Sequence, residues 1–152
     1  MHISPCPSMV KMTNAETIGA AAFKFWTMDT VQLPPNLVKI ERLAFVECEF
    51  LAHVNFTNCK HLEVIEKQAF EGCYAFESIK LPPSVREIQS YAFDGCSNLK
   101  KVDLSECHWL SQGGIYDTAF EHCHADLVVQ LPANVTLAMA TTAEQSPAYV
   151  YS

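Results

Sequence analysis

Short apolar–polar–apolar triplets recur along the chain, with 23, 25, 23 and 27 residues between successive copies. Each triplet has the alternation of a short strand with one buried face. A strand of this length buries little by itself, so the repeat predicts that copies stack and pair in parallel, about 4.8 Å apart. The five triplets are Val31-Gln32-Leu33, Val54-Asn55-Phe56, Ile79-Lys80-Leu81, Val102-Asp103-Leu104 and Val129-Gln130-Leu131.

An Ala-Phe pair keeps the same period as the triplets. In each copy an Ile precedes the Ala by four residues and a Cys follows the Phe by three. We expect these segments to form the opposite wall, in loops, 3₁₀ or short helical turns, with each Phe filling the interior of its coil. The copies are Ala44-Phe45, Ala69-Phe70, Ala92-Phe93 and Ala119-Phe120, and Ala22-Phe23, which lacks the Cys, is interpreted as an incomplete or capping copy.

The complete pattern is Leu-Pro-x2-Leu-x2-Ile-x3-Ala-Phe-x2-Cys-x2-Leu, seen at 33–51 and 81–99, the second with Val85 at the middle Leu. It resembles the BspA-like leucine-rich repeat over roughly residues 18–135. The resemblance implies an α/β-type solenoid. This is a leucine-rich-repeat horseshoe with a short-stranded parallel sheet on the concave side and loops, 3₁₀ or short helical turns on the convex side. It also implies a role in binding proteins, and it supplies no catalytic residue.

The chain divides into three predicted parts. Residues 1–15 are expected to be a flexible N-terminal segment, residues 16–135 the solenoid, and residues 136–152 a C-terminal tail or partial cap. The fourth Ala-Phe copy departs from the pattern, with extra residues around Gly113-Gly114 and Asp126 where earlier copies carry an apolar residue. We expect that coil to be the loosest.

Polar residues flank the apolar positions of each triplet, and we expect them to line the concave side. This face is nearly neutral, with Lys80 and Lys101 as its firm positive charges. Five strands span only about 20 Å, which suits a small interface or a peptide. An idle, solvated sheet face is the alternative. The candidate partner-binding residues are Gln32, His53, Asn55, Ser78, Lys80, Lys101, Asp103 and Gln130.

The cysteines and histidines offer other chemistry, which the repeat explains more simply. Cys48, Cys73, Cys96 and Cys123 belong to the repeat, so a buried apolar row is favoured over a disulfide ladder. Cys6 is expected to be the most reactive thiol. Cys107-His108 and His122-Cys123-His124 lack zinc-ligand spacing, and no catalytic or phosphate-binding motif occurs. We therefore predict no metal, no cofactor and no enzymatic activity.

Charge and hydropathy restrict the partner. A net charge of −7 with ten Lys and Arg argues against nucleic acid, and no apolar run is long enough for membrane insertion. Residues 1–20 lack a signal-peptide pattern, which favours the cell interior, whereas the family resemblance favours the cell surface. The predicted function is a protein-binding module for a protein or peptide. The alternative is a structural segment of a longer array, with end-to-end self-association.

Overall fold

The part of the chain that the structure describes forms eleven short strands, all paired in parallel. The structure is a computed structural model that describes residues 9–110, 114–135 and 147–151. The strands are β1 Met9–Lys11, β2 Thr17–Ile18, β3 Thr30–Gln32, β4 Lys39–Ile40, β5 His53–Asn55, β6 Val64–Ile65, β7 Ser78–Lys80, β8 Glu87–Ile88, β9 Lys101–Asp103, β10 Val128–Leu131 and β11 Ala148–Tyr151.

The five predicted triplets lie on strands β3, β5, β7, β9 and β10, in the expected register. Val31 lies opposite Val54, and Val102 lies between Ile79 and Val129. The side chains that end the triplets form a buried row, as predicted, consisting of Leu33, Phe56, Leu81, Leu104 and Leu131. The molecule is thus a parallel β-solenoid whose coils stack on one another.

The expectation of one continuous triplet sheet is wrong at one point. One sheet has the order β1-β3-β5 and another the order β11-β10-β9-β7, so β5 and β7 are not paired. Phe56, which ends β5's triplet, stands where the other four copies carry Leu, and its ring contacts Phe70 at 6.1 Å between centroids. This larger side chain coincides in position with the break. Val54 beside it is only partly buried, unlike the other triplet positions in its row.

A third parallel sheet, β2-β4-β6-β8, is not interrupted at the break. It is built on the Ile that precedes each Ala-Phe pair, since Ile18, Ile40, Ile65 and Ile88 are register partners. An isolated bridge between Ile88 and Ile115 extends it by one more coil. The sequence identified these positions as anchors but not as strands, because a two-residue strand shows no alternation.

The predicted α/β class must be corrected, since the described residues contain strands and turns but no helix. In the segment from 41 to 48, alternate N–H groups bond within the coil and to the next coil. Ala44, Val46 and Cys48 donate to carbonyls three residues earlier, whereas Leu43, Phe45 and Glu47 donate to Lys67, Ala69 and Glu71. Leu43 and Glu47 have φ values of 61° and 54°, in the left-handed region. A ladder of overlapping turns therefore replaces the expected 3₁₀ or short helical turns.

The Ala-Phe phenylalanines form a stack along the interior. Successive rings from Phe23 to Phe120 have centroids 5.0 to 5.5 Å apart and planes within 9° of parallel. The four alanines beside the last four rings are fully buried. The prediction that each Phe fills its coil is confirmed, and the stack joins all coils into one core.

Strands β1 and β11 lie outside the predicted solenoid limits of 16 and 135. β1 pairs with β3, and β11 pairs with β10 over four residues. Residues 1–8, 111–113, 136–146 and 152 lie outside the described part of the chain, so the domain limits and the expectation for Cys6 stay predictions. In the fourth copy, Asp126 is exposed where Leu51, Phe76 and Leu99 are buried.

Candidate partner-binding face

The eight candidate residues all lie on strands, at positions that alternate with buried ones. We call these eight residues, Gln32, His53, Asn55, Ser78, Lys80, Lys101, Asp103 and Gln130, the sheet face. Five of them are exposed and the other three are half-buried. Each lies next to an inward-facing residue of its strand. Lys101 and Asp103, for example, flank the buried Val102. The strands therefore present polar side chains from a rigid, apolar support.

The break between β5 and β7 divides the sheet face into two parts. In the first part, Gln32 lies opposite Asn55. In the second part, Lys80 lies opposite Asp103, and Asp103 lies opposite Gln130. Backbone pairing fixes the order within each part. The sequence predicted this order within the parts but placed both on one ladder.

Lys80 and Lys101 both lie on the sheet face, as predicted, but their environments differ. Lys80 Nζ lies 3.5 Å from Glu106 Oε1 and 3.9 Å from Asp103 Oδ2. Lys101 makes no ion pair with any residue that the structure describes. Among the described residues, the Lys101 ammonium is therefore unpaired, whereas the Lys80 ammonium is shared between two carboxylates.

Asp103 is held as a carboxylate by hydrogen bonds at the end of β9. Its Oδ1 accepts from Ser105 Oγ at 2.6 Å and from Ser105 N at 3.0 Å. Partial burial acts to raise the pKa of Asp103. The Ser105 hydrogen bonds and the charges of Lys80 and Lys101 outweigh this effect, and the pKa is lowered. Asn55 and Thr57 form the same arrangement two coils earlier, at 2.6 Å.

Glu106 belongs to this site, although the sequence analysis did not identify it. It pairs with Lys80 and borders a small cleft of about 190 Å³ that also includes Thr57 and Pro83. Its counterpart in the earlier coil of the same kind is Asn58, so no repeated charge indicates it. The cleft contains residues from both sides of the break between β5 and β7.

The repeat cysteines stabilise the stack. The Sγ atoms of Cys48, Cys73, Cys96 and Cys123 donate to the carbonyl of the Phe in the preceding coil, at 3.0 to 3.3 Å. Cys107 likewise donates to Pro82 O at 3.3 Å. All six described cysteines are free thiols, and five are buried. Three of the four repeat cysteines are buried, as the interpretation as an apolar row expected, and Cys123 is half-buried. That the thiols form no disulfide stays a prediction.

Burial also makes the five buried thiols poor nucleophiles. It raises the pKa of Cys48 and of Cys59 to about 11 and that of Cys107 to about 12. It raises the pKa values of Cys73 and Cys96 well above their usual range. Since only the thiolate attacks, these positions have a structural role.

One group of potential metal ligands arises from stacking rather than from sequence spacing. Asp94, Glu121 and His122 place ligand atoms within 4.8 Å of one another, the one such trio among the residues described. His122 Nδ1 already contacts Asp94 Oδ1 at 2.7 Å, which is the geometry of an ion pair. Cys107 and Cys123 point into the coils and do not join it. The expectation of no metal site stays a prediction.

The His122–Asp94 pair predicts a pH-dependent contribution to stability. The hydrogen bond and the charge of Asp94 raise the pKa of His122 above its ordinary value of 6.5. A raised folded-state pKa adds stability that is fully present below pH 6.5 and is lost as pH rises through the folded value. We expect His122→Gln to lower the melting temperature at pH 5.5 and to have less effect at pH 9.

Two measurements check this prediction. Thermal unfolding of wild type and His122→Gln at both pH values gives the difference. A proton NMR titration of His122 should then show its pKa falling in Asp94→Asn. Equal destabilisation by His122→Gln at both pH values, with an unchanged imidazole titration in Asp94→Asn, would contradict it.

Comparisons with known proteins agree with this geometry. The family model described as BspA type leucine rich repeat region matches residues 16–139 in six copies. A crystal structure of a leucine-rich repeat protein from Bacteroides ovatus ATCC 8483 is similar, with a TM-score of 0.50 and 18% sequence identity. The alignment covers 100% of this chain and 61% of that one, and at this identity it shows the fold alone. No curated protein matches the chain.

Proposed function

The chain belongs to the BspA-type leucine-rich-repeat family, and on that premise we propose that it binds a protein or peptide through the sheet face. Proteins with this repeat commonly serve as interaction modules and are typically not enzymes. Accordingly, the proposal includes no catalytic residue, cofactor or nucleic-acid ligand. Within the described residues there is no helix long and apolar enough to cross a membrane.

One observation carries the proposal: exposed and half-buried polar side chains are held in register on strands whose alternate residues are buried, or half-buried at Val54. Such a surface loses little conformational freedom when a partner binds, because its backbone is already ordered. Lys101, which has no ion-pair partner among the described residues, adds a positive charge to a protein whose net charge is −7. We expect the partner to place a carboxylate near Lys101.

The test reverses the two charges of the face. In Lys80→Glu/Lys101→Glu, the partner's carboxylate would meet like charge, so partner capture should fall at least tenfold. Both lysine side chains are exposed, and the ion pairs that Lys80 would lose lie at the surface, where each contributes at most about 1 kcal/mol. The melting temperature should therefore stay within a few degrees. The measurement is quantitative affinity capture from an extract of the source organism, with the retained proteins compared between variants by mass spectrometry.

Lys67→Glu/Lys100→Glu is the matched control, because both residues are exposed and outside the sheet face, and the net charge changes equally. A protein retained by wild type and by the control but lost in the test variant supports the proposal. Retention of the same proteins at the same level by all three would exclude the sheet face as the site.

The alternative is a structural segment of a longer array. Strand β11 favours it, because β11 is the edge of its sheet and exposes Val150 and Tyr151. An uncovered edge strand can pair with another chain. This role predicts association that grows with concentration in sedimentation velocity, and a single monomeric species up to high concentration would contradict it.

A further inference from the structure

A groove of about 540 Å³ lies beside the first part of the sheet face. It is formed where the chain leaves three successive strands of one sheet, and its walls come from residues 11–13, 32, 33, 35, 36, 58, 60 and 61. Lys11, at the end of β1, lies opposite Gln32 in the parallel register. Backbone pairing of the three strands therefore sets the spacing of the groove walls.

The groove is basic in an otherwise acidic protein. Lys11, Lys60 and His61 line it, and none of its described lining residues is Asp or Glu. Neither lysine forms an ion pair with any residue in the described part of the chain. Both are exposed. Two unneutralised ammonium groups in one concavity, in a protein with a net charge of −7, favour a ligand with carboxylate or similar anionic groups.

The remaining lining indicates what kind of anion fits. Met12, Leu33 and Pro35 provide apolar surface, with Leu33 buried beneath the groove. Asn36 and Asn58 add side-chain amides, which can both donate to and accept from a peptide backbone. A compact inorganic anion would use only the charges. A peptide that combines carboxylates with an aliphatic side chain would use all three kinds of surface.

We propose that this groove is a docking site for an acidic segment of a partner protein, in which carboxylates flank an aliphatic residue. The carboxylates contact Lys11 and Lys60, and the aliphatic side chain lies against Leu33 and Pro35. The proposal goes beyond the sheet-face function, because the groove and the sheet face are different surfaces that share only Gln32. It would hold even if Lys80 and Lys101 proved irrelevant to capture.

The probe is the peptide acetyl-Gly-Glu-Leu-Glu-Gly-amide, titrated into the ¹⁵N-labelled full chain. We expect amide signals of residues 11–13, 36 and 58–61 to shift and saturate together. The same peptide with Gln in place of both Glu residues should bind at least tenfold more weakly. Lys11→Glu/Lys60→Glu should weaken binding of the acidic peptide at least tenfold, and Lys11→Gln/Lys60→Gln by a smaller factor.

Lys67→Glu/Lys100→Glu carries the same change in net charge outside the groove and should alter the affinity less than threefold. An equal loss in this control would show long-range attraction rather than a site and would overturn the proposal. So would unchanged binding in Lys11→Glu/Lys60→Glu, or shifts located elsewhere. A sulfated heparin disaccharide serves as a competing anion. Tighter binding of the disaccharide than of the peptide would assign the groove to a glycan and also overturn the proposal.

Discussion

Replacing Phe70 by Ala is expected to lower the free energy of unfolding by about 3–5 kcal/mol. Phe70 is fully buried at the centre of the aromatic stack, with ring centroids 5.0 Å from Phe45 and 5.2 Å from Phe93. It also contacts Phe76 at 5.8 Å. Neighbouring coils fix these rings, so the cavity left by truncation cannot collapse fully. The loss should exceed that for any exposed aromatic residue.

Urea unfolding followed by circular dichroism measures the effect. Phe50→Ala is the control, since the Phe50 side chain is 58% exposed and its removal should change stability by less than about 0.5 kcal/mol. Phe70→Leu should fall between the two variants. A cost for Phe70→Ala no greater than that for Phe50→Ala would show that the stack does not support the fold.

Enlarging Ala92 to Leu is expected to destabilise the protein by about 1–3 kcal/mol through overpacking. Ala92 is fully buried in the turn ladder, and its carbonyl accepts from Phe70 N at 2.7 Å. The next turn repeats the contact, since Phe93 N donates to Ala119 O at 2.8 Å. A larger side chain would push adjacent coils apart and lengthen these hydrogen bonds.

Ala125→Leu provides the matched control, because Ala125 is an exposed turn residue in the described chain. The same three carbon atoms are added there without a neighbour to displace. Thermal unfolding should show a lower melting temperature for Ala92→Leu and little change for Ala125→Leu. Equal melting temperatures would indicate that the alanine positions do not limit the approach of the coils.

The repeat made the interior of the fold predictable. Positions such as Phe70, Cys73 and Leu81 recur at a fixed phase, and a solenoid places equivalent residues in columns. The position of a residue within the repeat therefore predicted whether its side chain is buried. The buried thiols follow the same rule, although their hydrogen bonds to Phe carbonyls were visible only in the structure.

Other features depend on contacts between coils that the repeat does not encode. The two-residue strand at Ile65 and the left-handed turn at Leu43 arise from pairing with the next coil, since neither has a periodic signature of its own. The break between β5 and β7 coincides with Phe56, the one departure from Leu in its row. The prediction of short helical turns was also wrong, because the local sequence pattern does not reveal that alternate N–H groups bond to the next coil.

The position of the sheet face was predictable, but the ion pairs of its lysines were not. Alternation along each strand indicated that Lys80 and Lys101 would project outward, and both are exposed. It gave no indication that Glu106 neutralises part of the Lys80 charge, because that contact joins residues 26 apart in different coils. The basic groove at Lys11 and Lys60 also brings together distant segments.

A single measurement tests most directly whether equivalent residues of successive coils are in contact. Nuclear Overhauser spectroscopy on a deuterated sample with protonated Phe should show ring-to-ring contacts between Phe45 and Phe70, Phe70 and Phe93, and Phe93 and Phe120. These rings lie 5.0 to 5.5 Å apart between centroids. Contacts between these neighbours, and none from Phe45 to Phe120, are the predicted result. Absence of all three neighbour contacts in the folded protein would contradict the stacked solenoid.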